Sequence, residues 1–204
     1  MKVELHLHTT RYSGCATASP EVMMRALIDA GYDAVYITEH DATWSDRELT
    51  ELRGRFPEIA IVPGVELSLE SDHLLVLGTN DPRFLSMRSP ADIIDAARAD
   101  GHLTVLAHPF RWATSSDILD GDTPPDAMEF QTPNVPFDRA GLALVRAKAM
   151  SLPVVNSGDA HAVHFLDRFW VETFQPLDAG DDIRDIILDG AYVNRQAKNA
   201  DDLQ

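Results

Sequence analysis

Val3-Glu4-Leu5-His6-Leu7-His8 lies near the start of the sequence, and how the rest is read depends on it. The stretch reads as a strand over Val3–Leu7 that ends in two histidines. Residues two apart on a strand point the same way. His6 and His8 therefore share a face at a strand end, where two imidazoles can bind one cation. A lone pair of this kind also arises by chance, so the neighbours must decide.

Downstream, short β-rich runs alternate with helical patterns, the signature of an α/β fold with parallel strands. Six further strands are expected at Ala34–Thr38, Ile59–Val65, His73–Gly78, Leu103–Ala107, Ala127–Gln131 and Pro153–Ser157, with a short extra one at Ala191–Asn194. Helix punctuation agrees. Ser19-Pro20 and Ser89-Pro90 each put a capping hydroxyl before a proline at the first helical position. Ser45 and Glu48 form a capping box. Gly31, Gly101 and Gly190 stop helices, and Leu142, Val145 and Ala149 mark one more. Phe110–Asp126 lacks periodicity and reads as a long loop. With 204 residues and no visible linker, a single domain over residues 1–204 is expected.

The remaining ligand-type residues sit where this scheme puts strand ends. His40 follows the second strand, Glu66 the third and His108 the fifth. His73 begins the fourth, and Asp159 and His161 follow the seventh. Each alone has an ordinary reading: a helix cap for His40, a surface acid for Glu66, a core histidine for His108, an Asx turn for Asp159. One metal site at the carboxyl rim of a parallel barrel accounts for all of them together. His102 falls at the opposite end, as a surface or capping residue. His164, three past His161, is placed to line the pocket.

Composition narrows the function classes. Seventeen Lys and Arg face 33 Asp and Glu, a net charge of −16. Tight non-specific binding to nucleic acid is not expected of such a chain. No apolar run approaches the ~18 residues of a membrane span, and the start of the chain lacks a signal-peptide pattern. The single cysteine, Cys15, has no internal disulfide partner. A cytoplasmic setting is the expectation.

Taken in order, the motifs resemble the PHP family, named for polymerase and histidinol phosphatase domains. They are Glu4-Leu5-His6-Leu7-His8-Thr9, Ile37-Thr38-Glu39-His40-Asp41, Pro63-Gly64-Val65-Glu66, His73-Leu74-Leu75-Val76-Leu77-Gly78, Ala107-His108-Pro109-Phe110-Arg111 and Gly158-Asp159-Ala160-His161. The resemblance implies a distorted seven-stranded (β/α)7 TIM-like barrel. It implies two or three divalent metal ions, usually zinc, manganese or iron. His6, His8, Glu66 and Asp159 would hold the first, and Glu66 would bridge to a second held by His73 and His108. His40 and His161 would hold the third. The family adds a further acid or histidine shortly after HxH, whereas this chain has Tyr12-Ser13-Gly14-Cys15. Cys15 could substitute there as a thiolate, against the plainer reading of a buried, inert cysteine.

A carboxylate-bridged pair of cations suits phosphate ester hydrolysis, because it clamps the phosphate and lowers the pKa of a bound water. The expected substrate is a small phosphomonoester, nucleotide- or histidinol-phosphate-like. Glu66, Asp159 and His161 carry the chemistry, with Asp159 or His161 taking the water proton. Arg111 would grip a phosphate oxygen; Arg11 and Arg168 are weaker candidates. Three other readings stand beside this one. An exonuclease of the same fold and a ligand-depleted, non-catalytic module are two. C–N bond hydrolysis is the third, disfavoured because none of Lys2, Lys148 and Lys198 lies at a suitable strand end.

Overall fold

The structure is a computed structural model that describes residues 1–177 and 183–197. Lys198 lies outside the described residues. The elements in chain order are β1 (Lys2–Leu7), α1 (Pro20–Asp29), β2 (Ala34–Ile37), α2 (Asp46–Arg55), β3 (Ala60–Leu69), β4 (Asp72–Leu77), α3 (Pro90–Ala99), β5 (Leu103–Ala107), α4 (Asp117–Asp120), β6 (Ala127–Glu129), α5 (Phe137–Met150), β7 (Val154–Val155), β8 (Phe169–Thr173), α6 (Ile183–Leu188) and β9 (Tyr192–Gln196). Ser19, Ser45 and Ser89 cap α1, α2 and α3 through their hydroxyls, and the Ser45–Glu48 box is complete.

Among the described residues the sheet has nine strands, ordered β7-β6-β5-β4-β3-β2-β1-β8-β9. This corrects the expectation of a seven-stranded, parallel barrel in two respects. First, β4 runs antiparallel to both β3 and β5. Only Glu70 and Ser71 separate β3 from β4, and a parallel return needs a crossover of about a dozen residues. The reversal also explains why His73, near the start of its strand, stands at the same rim as His108, just past β5, and Glu66, which lies within β3 rather than after it as expected. Second, β8 and β9 form an antiparallel pair beside β1. β8 carries a period-two signal, with Phe169, Val171 and Thr173 buried between half-buried Trp170 and Glu172.

The sheet curls into a nearly closed barrel. At its open seam, side chains replace the ladder: Asn194 Nδ2 and Tyr192 Oη each donate to the Val154 carbonyl at 2.8 Å. At the rim, Ala160 joins β1 directly, donating to the His6 carbonyl and accepting from His8 N, both at 3.0 Å.

One apolar cluster gathers Val3, Tyr36, Leu75, Val105, Ala127, Val155 and Val171 from strands around the sheet, together with Ile183, Ile186 and Ile187 of α6. Six residues are too few for a stable isolated helix. Three buried isoleucines, each contributing about 1.5–3 kcal/mol, hold α6 there instead. Two outer clusters pack α1 and α2 on one side and α3 and α5 on the other. The register of β1 against β2 shifts between Glu4 and Leu7. Val3 and Leu5 accordingly join the inner cluster, while Leu7 joins the one under α1 and α2. No described helix is long and apolar enough to cross a membrane.

Candidate metal centre

The rim assembles the eight ligand-type residues from strands widely separated in sequence. Leu75 and Leu77 face inward on β4, so His73 does too by period two; Val62 places Glu66 likewise on β3. Glu66 is the hub. Its Oε2 lies 3.2 Å from Nε2 of His6 and of His8 and 2.9 Å from Nδ1 of His40. Its Oε1 lies 2.8 Å from Nδ1 of His73 and 2.9 Å from Nε2 of His108. Asp159 Oδ1 stands 3.4 Å from Nε2 of both His6 and His8 and 3.4 Å from Nδ1 of His161. The rings of His8 and His161 stack with centres 4.1 Å apart, and His40 and His161 bring their Nε2 atoms to 3.4 Å.

His6 Nε2, His8 Nε2, Glu66 Oε2 and Asp159 Oδ1 are all buried and lack a hydrogen-bond partner. Such atoms are expensive to leave unsatisfied. Four of them aimed at one point, two imidazole nitrogens and two carboxylate oxygens, form a donor set suited to a divalent cation. Two further sets of three donors overlap it, His40/Glu66/His73 and His8/His40/His161. The residues present fit a polynuclear centre.

Backbone strain marks the same residues. His108 has φ of 30° and Asp159 of 39°, in the left-handed region that favours glycine. Each such residue costs about 1–3 kcal/mol and persists only where its surroundings overdetermine it. Here they do: the His108 amide donates to Glu129 Oε2, and Asn134 Nδ2 donates to both the carbonyl and Oδ2 of Asp159. Beside Asp159, a Cβ on Gly158 would come within 2.5 Å of Glu4 Oε2, so only glycine lets the loop pass so close.

A layer of polar groups behind the ligands was not foreseen from the sequence. Glu129 Oε1 lies 2.8 Å from His6 Nδ1, and Ser157 Oγ donates to the same carboxylate. Ser13 Oγ lies 3.2 Å from His8 Nδ1, donates to Glu39 Oε2 at 2.5 Å and accepts from the His40 amide at 3.1 Å. Glu39 also accepts from Thr9 and from Trp44 Nε1. Engaging Nδ1 of His6 and His8 leaves Nε2 to face the centre, as in metal sites whose outer partners set the histidine tautomer. Glu39 and Glu129 are wholly buried. Their one sequence signal is an acid amid strand residues, which is a weak one.

The electrostatics call for positive charge. Burial pushes the Glu66 carboxyl up, but the neighbouring His6, His108 and His40 outweigh it and hold it well below the usual range. Asp159 is lowered in the same way, against its own burial, by His6 and His8. Burial pulls His6 down, yet Asp159, Glu66 and Glu129 raise it well above the ordinary imidazole value; His8 is raised too, by Asp159 and Glu66. His161 differs, because burial and then the charge on His8 lower it to about 4. It stays neutral near pH 7, its Nδ1 3.0 Å from the Asp159 carbonyl and its Nε2 facing His40.

The other candidates separate. Arg111 stands at the rim with Nη1 3.7 Å from Asp159 Oδ2. His164 is exposed, and its ring rests on Phe165 at 4.3 Å rather than among the cluster residues. Arg11 turns to Glu48 of α2, and Arg168 lies over Phe165. Cys15 is exposed, which corrects the expectation of a buried thiol. Partial desolvation and the carboxylates of Glu66 and Asp159 push that thiol up, so it holds its proton near neutral pH. His102 is half-buried just before β5, its ring 6.3 Å from that of Phe84.

No family model and no curated protein matches the chain. Solved structures do. One, from Bifidobacterium adolescentis and provisionally assigned as a metal-dependent phosphoesterase, aligns with a TM-score of 0.64 at 16% identity over 90% of this chain and 94% of that one. A two-domain protein from Bacteroides vulgatus, containing a domain assigned as a PHP-like metal-dependent phosphoesterase, aligns with a TM-score of 0.71 at 15% identity. The match takes in 96% of this chain but 64% of that protein. An amidohydrolase from Chromobacterium violaceum gives 0.62 at 15% identity, over 79% of this chain and 88% of that one. The motif resemblance to PHP proteins thus extends to the fold, which this chain shares with PHP-like metal-dependent phosphoesterases.

Proposed function

We propose that this protein is a metal-dependent phosphomonoesterase acting on a small substrate. One observation carries the reading. The two oxygens of Glu66 divide between two groups of histidines, His6, His8 and His40 on one side and His73 and His108 on the other. A carboxylate split in this way would suit the bridge of a polynuclear cation site. His6, His8, Glu66 and Asp159 would hold one ion, Glu66, His73 and His108 a second, and His40 with His161 a third. Bound there, divalent zinc, manganese or iron would supply Lewis-acid activation of water and neutralise charge on the phosphoryl oxygens.

The chain's own residues do the rest. Asp159 splits its roles: Oδ2 is held by Asn134 at 2.7 Å while Oδ1 faces the centre. Arg111 offers a planar fork to phosphate oxygens beside that carboxylate. Asp159 and the neutral His161 border the same space and would accept or shuttle the proton that water loses. Glu129, Ser13 and Glu39 hold His6 and His8 in place, so that little reorganisation is needed as charge develops. The net charge of −16 favours a small ester, gripped at short range, over a polymer held along a groove.

The test is hydrolysis of a generic aryl phosphate by protein reloaded with zinc or manganese, its metal content verified by elemental analysis. Turnover that chelation removes and metal restores is expected. Absence of turnover in demonstrably loaded protein overturns the proposal. Shortening of a labelled oligonucleotide without monoester cleavage would replace it with the exonuclease reading.

A further inference from the structure

Trp112 has no part in the chemistry above, yet it stands beside the centre, against His73 and His108. It is 59% exposed, while Trp44 is buried and Trp170 half-buried. Its ring centre lies 5.0 Å from that of His73 and 5.1 Å from that of His108, at interplanar angles of 57° and 76°. Both imidazoles meet the indole tilted or edge-on, so neither is stacked flat upon it. The guanidinium carbon of Arg111 lies 5.1 Å from the indole centre. These contacts seat the indole beside the second group of histidines and leave more than half of it to solvent. Phe174, 67% exposed, makes the contrast. It follows β8, whose pairing with β1 puts it at the end of the barrel away from the histidines.

Trp112 directly follows Arg111, whose Nη1 lies 3.7 Å from Asp159 Oδ2, so a leaving group borne on a phosphate gripped by Arg111 would lie within reach of the indole. An indole presented there has the area and polarisability to stack a planar ring and offers nothing specific to an aliphatic chain. Arg111 adds a cation to the same platform. We infer that Trp112 is a specificity-determining platform that selects phosphate monoesters whose leaving group carries a planar aromatic ring, of the nucleoside monophosphate or aryl phosphate class. The inference rests on the phosphomonoesterase reading and adds the substrate class. An indole that only shielded His73 and His108 from water would act on every ester equally.

The experiment uses two esters of like charge, adenosine 5′-monophosphate and ribose 5-phosphate, and the zinc-reloaded protein. Adenosine monophosphate is expected to quench the emission of the exposed indole, and ribose 5-phosphate to leave it unchanged. Trp112→Leu abolishes that quenching. It lowers kcat/KM for the nucleotide about tenfold, within the range for stacking of one base. It leaves ribose 5-phosphate turnover and zinc content as they were, and Trp112→Phe recovers part of the loss. Equal losses for both esters in the leucine variant, or no quenching by the nucleotide, overturn the inference. If neither ester is cleaved but the nucleotide alone quenches Trp112, the platform stands and the phosphomonoesterase reading falls.

Discussion

Nδ1 of His6 lies 2.8 Å from Oε1 of Glu129, a residue 123 positions further along the chain. The contact joins β1 to β6 across the barrel interior, and both side chains are buried. Glu129 also receives the His108 amide, so one acid orients a residue in each of the two histidine groups around Glu66.

That arrangement makes Glu129 a positioning residue for the centre. Glu129→Gln keeps the volume and removes the charge. Metal affinity is expected to fall about 10–100-fold, the usual loss when an outer partner of a ligating histidine is changed. Competition with a chromophoric chelator measures it, and unchanged far-UV circular dichroism shows that the fold survives.

Asp159→Asn is the cleaner test of a direct ligand. Asparagine tolerates the left-handed φ of 39° and can keep the neighbouring backbone in place. The protein should fold, hold at least one metal fewer after reloading, and lose about a hundredfold or more in turnover. Elemental analysis and a phosphatase assay check the two outcomes separately, and full metal content in this variant would remove Asp159 from the ligand set.

Metal binding should release protons. His6 and His8 are raised above the ordinary imidazole value in the metal-free protein, so a cation must displace protons from them. Affinity is expected to rise with pH through and above about 6.5. Calorimetry in buffers of different ionisation enthalpy measures the protons released. A pH-independent affinity would show that these imidazoles are already neutral.

Glu4 gives the metal-free protein its own pH dependence. Burial, which two amide donors only partly offset, raises its carboxyl from 4.5 to about 7. The sign follows from a folded value above the unfolded one: its contribution is present in full below about pH 4.5 and is lost as pH rises through about 7. The loss is on the order of 3 kcal/mol. Glu4→Gln cannot ionise. In chelator, the melting temperature of Glu4→Gln should gain on that of the parent between pH 5 and pH 8; parallel profiles would contradict the assignment.

The order of the ligands was legible in the sequence because most stand at or near the edge of a short apolar run, and such runs are written locally. The serine caps of α1, α2 and α3 were legible for the same reason. The reversal of β4 could have been read from the two residues, Glu70 and Ser71, that join it to β3. β8 was harder, since five residues bordered by loop declare a strand only once β1 and β9 pair with them.

The identity and order of the candidate ligands were thus settled by the amino acids alone: six histidines, Glu66 and Asp159, most of them at or near an end of a strand. Only the tertiary structure decided that Glu66 turns one oxygen to each group, that Glu129 and Ser13 orient His6 and His8, and that Trp112 stands exposed beside His73. The reason is geometric. Period and capping act over a few residues, whereas these relationships depend on strand register and barrel curvature, which bring residues more than a hundred positions apart to within hydrogen-bonding distance.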